Sequence, residues 1–393
     1  MNSKILTKEA QRFINENLTT DIHTILLKKS PFPNVSSKEL VEQIESKVKS
    51  KQKLPTWFAT ENIYYPNKLN LSQTSSEVAA DYKANLVFGE NIVDLTGGLG
   101  IDSLAFSKKL KEVIHVEQNK ELSIIANYNF NQLGAKNIEC ISKDGISYLE
   151  NTSKTFDWIY VDPSRRDKDN KKVYYLSDCE PNVTTHLEAL FSKSKNILIK
   201  TGPLLDLNMG LKELSHVKEI HIVAIANEVK EILWILELGF TNEPLIKTVN
   251  FKNDSIQHFQ LDIKQEQTAI SIYSQPQTYL YEPNAAILKS GAFNYIGQHY
   301  NLNKLHPNSH LYTSGNLITF PGRVFKIENI LDYSKKSIKK IGLTKANVTT
   351  RNFPDSVAKI RKKLDLKDGG EIYIFCTTDL NQKKILLVCH QIF

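Results

Sequence analysis

The sequence predicts an α/β protein built on a doubly wound, mostly parallel sheet. Three observations predict it. From residue 74 to about 250, short apolar runs alternate with segments of helix length. A glycine-rich turn, Asp94-Leu-Thr-Gly-Gly-Leu-Gly-Ile-Asp102, joins the first of these runs to a helix. Acidic residues then recur where apolar runs end, at Asp94, Glu117, Asp144 and Asp162.

The elements are taken in chain order. Residues 4–53 read as helices, and Ser36-Ser-Lys-Glu39 is a capping box ahead of Leu40, Val41, Ile44 and Val48. A loop with Pro55 and Pro66 carries Trp57, Phe58, Tyr64 and Tyr65, which are expected to pack between these helices and the domain that begins at residue 74. Thr74-Ser-Ser-Glu77 reads as a second capping box, opening a helix to about Phe88. Strands are expected at 91–95, 113–117, 138–141, 158–161, 197–199, 220–225 and 232–237. The helices between them are expected at 102–110, up to about 133, and at 206–214, with right-handed crossovers. Residues 255–325 are rich in Gln, Asn, Tyr and His and contain one predicted helix, 283–300. The last segment alternates strands at 323–328, 347–351, 371–376 and 384–389 with helices at 332–340 and 355–364, and turns at Asp379-Leu-Asn-Gln382. Four regions result: a helical region 1–73, a cofactor-binding domain 74–250, an insert 251–325 and a small α/β module 326–393.

Composition narrows the class. The chain has 393 residues, 41% of them hydrophobic and 24% charged, which is ordinary for a globular protein. No apolar run has the length of a membrane span, and the N-terminus lacks the apolar core of a signal peptide. Cys140, Cys179, Cys376 and Cys389 form no metal-binding spacing, so reduced thiols in a cytoplasmic protein, without metal, are expected. Charge is uneven. Residues 1–70 carry 11 basic against 7 acidic side chains, 71–240 carry 19 against 24, and 241–393 carry 20 against 12. An acidic middle between basic flanks suits an enzyme domain beside modules that bind a polyanion.

The ligand of the glycine-rich turn is narrowed by what is missing. The dinucleotide fingerprint requires a third glycine where Ser103 stands, and no P-loop is present. An acid at the strand end with glycines beneath it suits a cationic ligand without phosphate, and S-adenosylmethionine carries a sulfonium and an ammonium. Thr96, Gly97, Gly98 and Gly100 let the backbone turn under it, with Asp102 next. Glu117, beside Gln118, can accept both hydroxyls of a ribose. Asp144, beside Gly145, can accept from an adenine amino group. Asp162-Pro163-Ser164-Arg165-Arg166 ends the fourth run, where the chemistry is expected. Each alone has a bland alternative as a turn glycine, a solvated acid or a helix cap; four at successive strand ends do not arise easily by accident.

With these marks, the chain resembles class I S-adenosylmethionine-dependent methyltransferases, and within them the bacterial proteins with a THUMP-like C-terminal domain. The resemblance rests on 53–57, 75–84, the glycine-rich turn, 161–167, 279–287, 320–323 and 350–354. It implies a Rossmann-like methyltransferase sheet, a ferredoxin-like insert around 280–320 and a C-terminal module of RNA-binding type. One motif departs from the family of amino-methylating enzymes, which carry a second proline and an aromatic where this chain has Ser164 and Arg165. Asp162 and the Pro163 carbonyl can still hold an amine. Arg165 can lie flat on a base or, with Arg166, clamp a phosphate, and Tyr174 or Tyr175 can supply the ring.

Lys339, Lys340, Lys362 and Lys363 fall, with other basic residues, on the two helices of the last module and are expected to meet RNA phosphates, although a solvated helix face is the commoner fate of such runs. The resulting expectation is a methyltransferase acting on a base of structured RNA, tRNA or rRNA. Two rivals are a small-molecule methyltransferase and an RNA-binding protein with a vestigial cofactor fold.

Overall fold

The computed structural model describes residues 1–164, 175–252 and 254–392. The chain divides into two compact units, residues 1–217 with 234–240, and 218–233 with 241–393.

In the first unit the capping box at Ser36 forms as expected and opens the helix Ser37–Lys53, which buries Leu40, Val41 and Ile44. Trp57, Tyr64 and Tyr65 are packed inside, and the backbone at Tyr64 and Tyr65 is held by side-chain amides. Asn129 accepts from Tyr64 N and donates to Tyr64 O, each at 2.9 Å, while Gln43 does the same for Tyr65 at 2.9 and 2.6 Å. The short helices Pro55–Ala59 and Lys68–Gln73 follow, and then the helix Glu77–Ala84, which is shorter than expected and capped differently. Ser76 is its N-cap, and the Glu77 carboxylate turns away to accept from Thr56 N and Oγ1 at 2.9 and 2.8 Å.

Five strands form the heart of this unit: β1 (Asn91–Asp94), β2 (Glu112–Val116), β3 (Ile138–Ile141), β4 (Phe156–Val161) and β5 (Ser194–Thr201). They lie in the order β3-β2-β1-β4-β5, and every pair among them is parallel. β1, β2 and β4 are almost wholly buried because helices cover both faces of such a sheet. Strand order reverses between β1 and β4, which opens a crevice at their C-terminal ends, where ligands bind in folds of this kind.

The second unit contains most of β6 (Val217–Ile225), the first part of β7 (Glu228–Glu237), and β8 (Leu245–Phe251) and β9 (Ile256–Asp262). Ala226 and Asn227 link β6 to β7 with φ of 51° and 62°, the left-handed pair of a tight hairpin. β8 pairs parallel with β6 and antiparallel with β9.

A separate seven-stranded sheet completes the chain. Its strands are β10 (Tyr279–Pro283), β11 (Asn303–Lys304), β12 (Tyr312–Ser314), β13 (Gly322–Asp332), β14 (Lys345–Thr350), β15 (Lys367–Thr378) and β16 (Lys384–Gln391). Their order is β11-β12-β10-β13-β16-β15-β14. The single helix expected at 283–300 is instead two, Ala285–Ser290 and Tyr295–His299. Gly291, at φ 79°, ends the first with a left-handed cap. The helices Lys335–Lys340 and Val357–Leu364 cover one face of the sheet, over Ile374, Cys376, Leu386 and Val388. Phe325, Phe375, Leu387 and Cys389 pack on the other face with Leu280 and Leu311. β13 pairs with β10 on one side and β16 on the other, and it continues past residue 325, with a shift in its register against β16 between Ile327 and Asn329.

Candidate functional site

The turn after β1 is organised from behind. Asp94 is 1% exposed. Its Oδ1 accepts from Thr96 N at 3.0 Å and its Oδ2 from Ser103 Oγ at 2.6 Å. Ser103 Oγ also lies 3.0 Å from His115 Nδ1. Burial pushes the Asp94 carboxyl up to about 7, against the pull of the Ser103 bond, and drives the His115 imidazole down to about 4. Asp94 therefore sits behind the turn, tying Thr96 to the next helix, Ile101–Ser107, rather than presenting an open carboxylate.

The glycines divide by what surrounds them. A Cβ on Gly97 would lie 2.2 Å from the His115 ring, and one on Gly100 2.2 Å from Phe130, so packing beneath the turn demands both. A Cβ on Gly145 would likewise meet Leu95 O at 2.2 Å. Gly98 differs. Its φ is 58°, and the nearest atom to a Cβ there is Thr96 O at 3.8 Å, so it borders open space.

Glu117 stands just after β2 and reaches back to this glycine. Its Oε2 accepts from Gly98 N at 2.8 Å and its Oε1 from Asn119 N at 2.7 Å, which fixes the carboxylate while leaving lone pairs on both oxygens. Gln118 beside it is exposed. Asp144 is the N-cap of the helix Gly145–Asn151, with Oδ1 accepting from Ser147 N at 2.8 Å.

At the end of β4, Asp162 N donates to Thr96 Oγ1 at 2.7 Å, so β1 and β4 are tied across the point where strand order reverses. Asp162 Oδ2 is ion-paired with Lys200 Nζ at the end of β5. Pro163 is buried, and Ser164 is exposed, with its backbone paired to Glu180 at 2.7 and 3.1 Å. Arg165, Arg166 and Tyr174 lie outside the described residues; Tyr175 is 47% exposed.

The structure adds a cluster that the sequence does not announce. Asp102 accepts from Ser75 Oγ and Tyr160 OH, each at 2.9 Å, and lies 3.2 Å from the fully buried Lys83 ammonium. Burial alone would raise the Asp102 carboxyl, but Lys83, Lys200 and the hydroxyls outweigh it and hold it below the usual range. Its oxygens thus serve this cluster and anchor the helix Glu77–Ala84 beneath the turn. The one available signal is Lys83 itself, a lysine set among alanines in a short helix.

On the described lysine-bearing helices, Lys335 pairs with Asp365, Lys359 with Asp355 and Arg361 with Asp368. Lys339, Lys340, Lys362 and Lys363 are exposed and make no ion pair within 4.0 Å among the described residues; Lys363 lies 3.7 Å over the Tyr333 ring. No helix among the described residues is long and apolar enough to cross a membrane, and no group of candidate metal ligands occurs among them.

Strand order, glycine turn and strand-end acids define a Rossmann-like domain of the nucleotide-cofactor class. Comparison with known proteins then narrows it. Residues 79–195 match the model of a family described as conserved hypothetical protein 95, 279–321 a ferredoxin-like domain, and 322–391 a THUMP domain-like module. The crystal structure of a candidate methyltransferase from Porphyromonas gingivalis W83 is 34% identical, with a TM-score of 0.88 over 98% of this chain and 97% of that one. An uncharacterised RNA methyltransferase of Mycoplasma mobile is 35% identical over 100 residues, which are 25% of this chain and 27% of that protein. The chain belongs to the bacterial family of class I S-adenosylmethionine-dependent methyltransferases with a THUMP-like C-terminal domain.

Proposed function

We propose that this enzyme transfers the methyl group of S-adenosylmethionine to a base in structured RNA, tRNA or rRNA, in the cytoplasm. One observation carries the cofactor site: Glu117, held by the Gly98 and Asn119 amides, stands beside the open space at Gly98. The residues fit the cofactor. Glu117 accepts the ribose hydroxyls, the Thr96–Gly98 backbone passes beneath the amino-acid portion, and Asp144 with Gly145 and Gln118 borders the adenine. Gly97, Gly100, Asp94 and Asp102 shape the turn from below. When bound, S-adenosylmethionine supplies an electrophilic methyl group on sulfur.

The chain's own residues then position the nucleophile. Asp162 and the Pro163 carbonyl would hold an exocyclic amine toward the transferable methyl group, with Ser164 beside them. Asp162 would accept the hydrogen bond of the amine N–H, orienting the nitrogen and holding the proton that it has to give up. Orientation supplies most of the acceleration. The RNA reading is supported by the named activity of the Mycoplasma mobile relative, by the THUMP-like module and by the basic C-terminal part of the chain.

The test is incubation with methyl-labelled S-adenosylmethionine and deproteinised total bacterial RNA, and then mapping of the labelled nucleotide. Label confined to small molecules would move the assignment to a small-molecule methyltransferase. Cofactor binding with no transfer would make the chain an RNA-binding protein with a relic site.

Two further results are expected. Glu117→Ala weakens S-adenosylmethionine binding by about 2 kcal/mol in calorimetry, the cost of a lost charged hydrogen bond. Unchanged affinity would remove Glu117 from the site. Changing Lys339, Lys340, Lys362 and Lys363 together to Ala flattens the salt dependence of RNA binding by about 0.7–0.9 log units per decade for each phosphate that is no longer neutralised. A slope equal to that of the parent chain would make these lysines a solubilising surface.

A further inference from the structure

Three segments that the cofactor site does not use, 279–287, 320–323 and 350–354, come together in the second unit. Pairing of β10 with β13 sets Glu282 opposite Arg323, and Arg351 stands just past the end of β14. The Glu282 side chain is 3% exposed. Its Oε2 accepts from Arg323 Nε at 2.7 Å and lies 2.5 Å from Arg323 Nη2 in an ion pair, and its Oε1 accepts from Arg351 Nη2 at 2.6 Å.

One carboxylate between two guanidiniums leaves a surplus positive charge. Burying a second cation without a second anion costs desolvation, and a pair needed only for folding is complete with one. Here the surplus lies at the surface, because the Arg323 and Arg351 side chains are 30% and 34% exposed. Arg351 Nη1 donates to Thr350 O at 2.8 Å. Among the described residues, Arg323 Nη1 and Arg351 Nε have no protein acceptor. The Arg323 guanidinium is also held over the rings of Phe325 and Tyr373, at 5.3 and 5.8 Å. Burial first, and then the charges of Lys304 and Arg351, depress the nearby His310 imidazole to about 4.

We propose that Arg323 and Arg351 form a seat for an RNA phosphate, with Glu282 as the positioning residue that fixes both guanidinium forks. A planar fork with outward N–H groups matches phosphate oxygens. The seat rests on the reading of RNA as substrate and is distinct from the lysine helices. Ile374 and Cys376 face those helices, whereas Phe325 and Phe375, beneath Arg323, belong to the opposite face of the same sheet.

The experiment uses the full chain and end-labelled bulk bacterial tRNA, with anisotropy measured across a salt series. R351Q leaves Arg323 and Glu282 as a balanced pair, and R351K keeps the charge without the fork. R351Q is expected to lower the slope of log affinity against log salt by about 1, with S-adenosylmethionine affinity unchanged. R351K is expected to keep the slope and bind more weakly than the parent. E282Q adds a net positive charge and is expected to steepen the slope. The seat is overturned if R351Q keeps the parent affinity and slope. It is also overturned if R351Q and R351K lose binding equally and unfold at the same lowered temperature, since the cluster is then packing alone. A parent chain that neither binds nor methylates RNA removes the RNA reading as well. A parent that methylates RNA, with R351Q indistinguishable from it, removes only the seat.

Discussion

Asp162→Ala is expected to lower methyl transfer by about 10²–10⁴-fold, the range for losing a group that manages a proton or its hydrogen bond in the transition state. The residue sits where strand order reverses, its amide tied to Thr96 and its carboxylate to Lys200. Removing the carboxylate takes away the acceptor proposed for the target amine and the Asp162 end of the ion pair with Lys200. Asp162→Asn keeps an acceptor oxygen and is expected to retain more activity. Steady-state rates with labelled cofactor check both variants, and circular dichroism confirms that they fold. Wild-type turnover in Asp162→Ala would make the residue structural and displace the site.

Gly98→Val is expected to reduce S-adenosylmethionine binding below calorimetric detection. Two effects combine. A β-branched residue is strained at φ 58°. Its methyl groups would also project into the open space beside Glu117 that the cofactor is proposed to fill. Gly134→Val separates the two, because Gly134 has φ 76° and nothing within 4 Å of an added Cβ. That variant should show the strain as lost stability while binding cofactor normally. Normal binding by Gly98→Val would sink the cofactor assignment.

The fold was legible wherever its cause is local. Apolar runs bounded by acids and glycines marked β1 to β4, and Ser36 with Glu39 marked a helix start that formed as read. The strand-end positions of Glu117 and Asp162 could be read because they are set by chain order alone. The illegible parts depend on neighbours distant in sequence. Glu77 looked like the reciprocal half of a cap, but Thr56 competes for its carboxylate. Lys83, Ser75 and Tyr160 mean little until folding gathers them around Asp102. Lys200 becomes part of the site only because β5 lies beside β4. Asp94 read as an open acceptor, and only the packing of Ser103 and His115 reveals it as an internal brace. The pattern at 283–300 predicts one helix because its periodicity continues across Gly291, whose left-handed backbone breaks it.

β13 has a consequence for how the C-terminal half can be taken apart. Its residues 322–326 pair with β10, while 325–332 pair with β16, with a register shift between Ile327 and Asn329. Leu280 from the ferredoxin-like stretch and Phe375 and Leu387 from the THUMP-like stretch share one apolar core. The two are therefore not interchangeable cassettes. A chain ended at 325 would leave β10 with a short remnant of its neighbour and half a core facing water, which is a template for aggregation. In native-state hydrogen exchange, the amides of Tyr281 and Leu387 should open together, as members of one foldon.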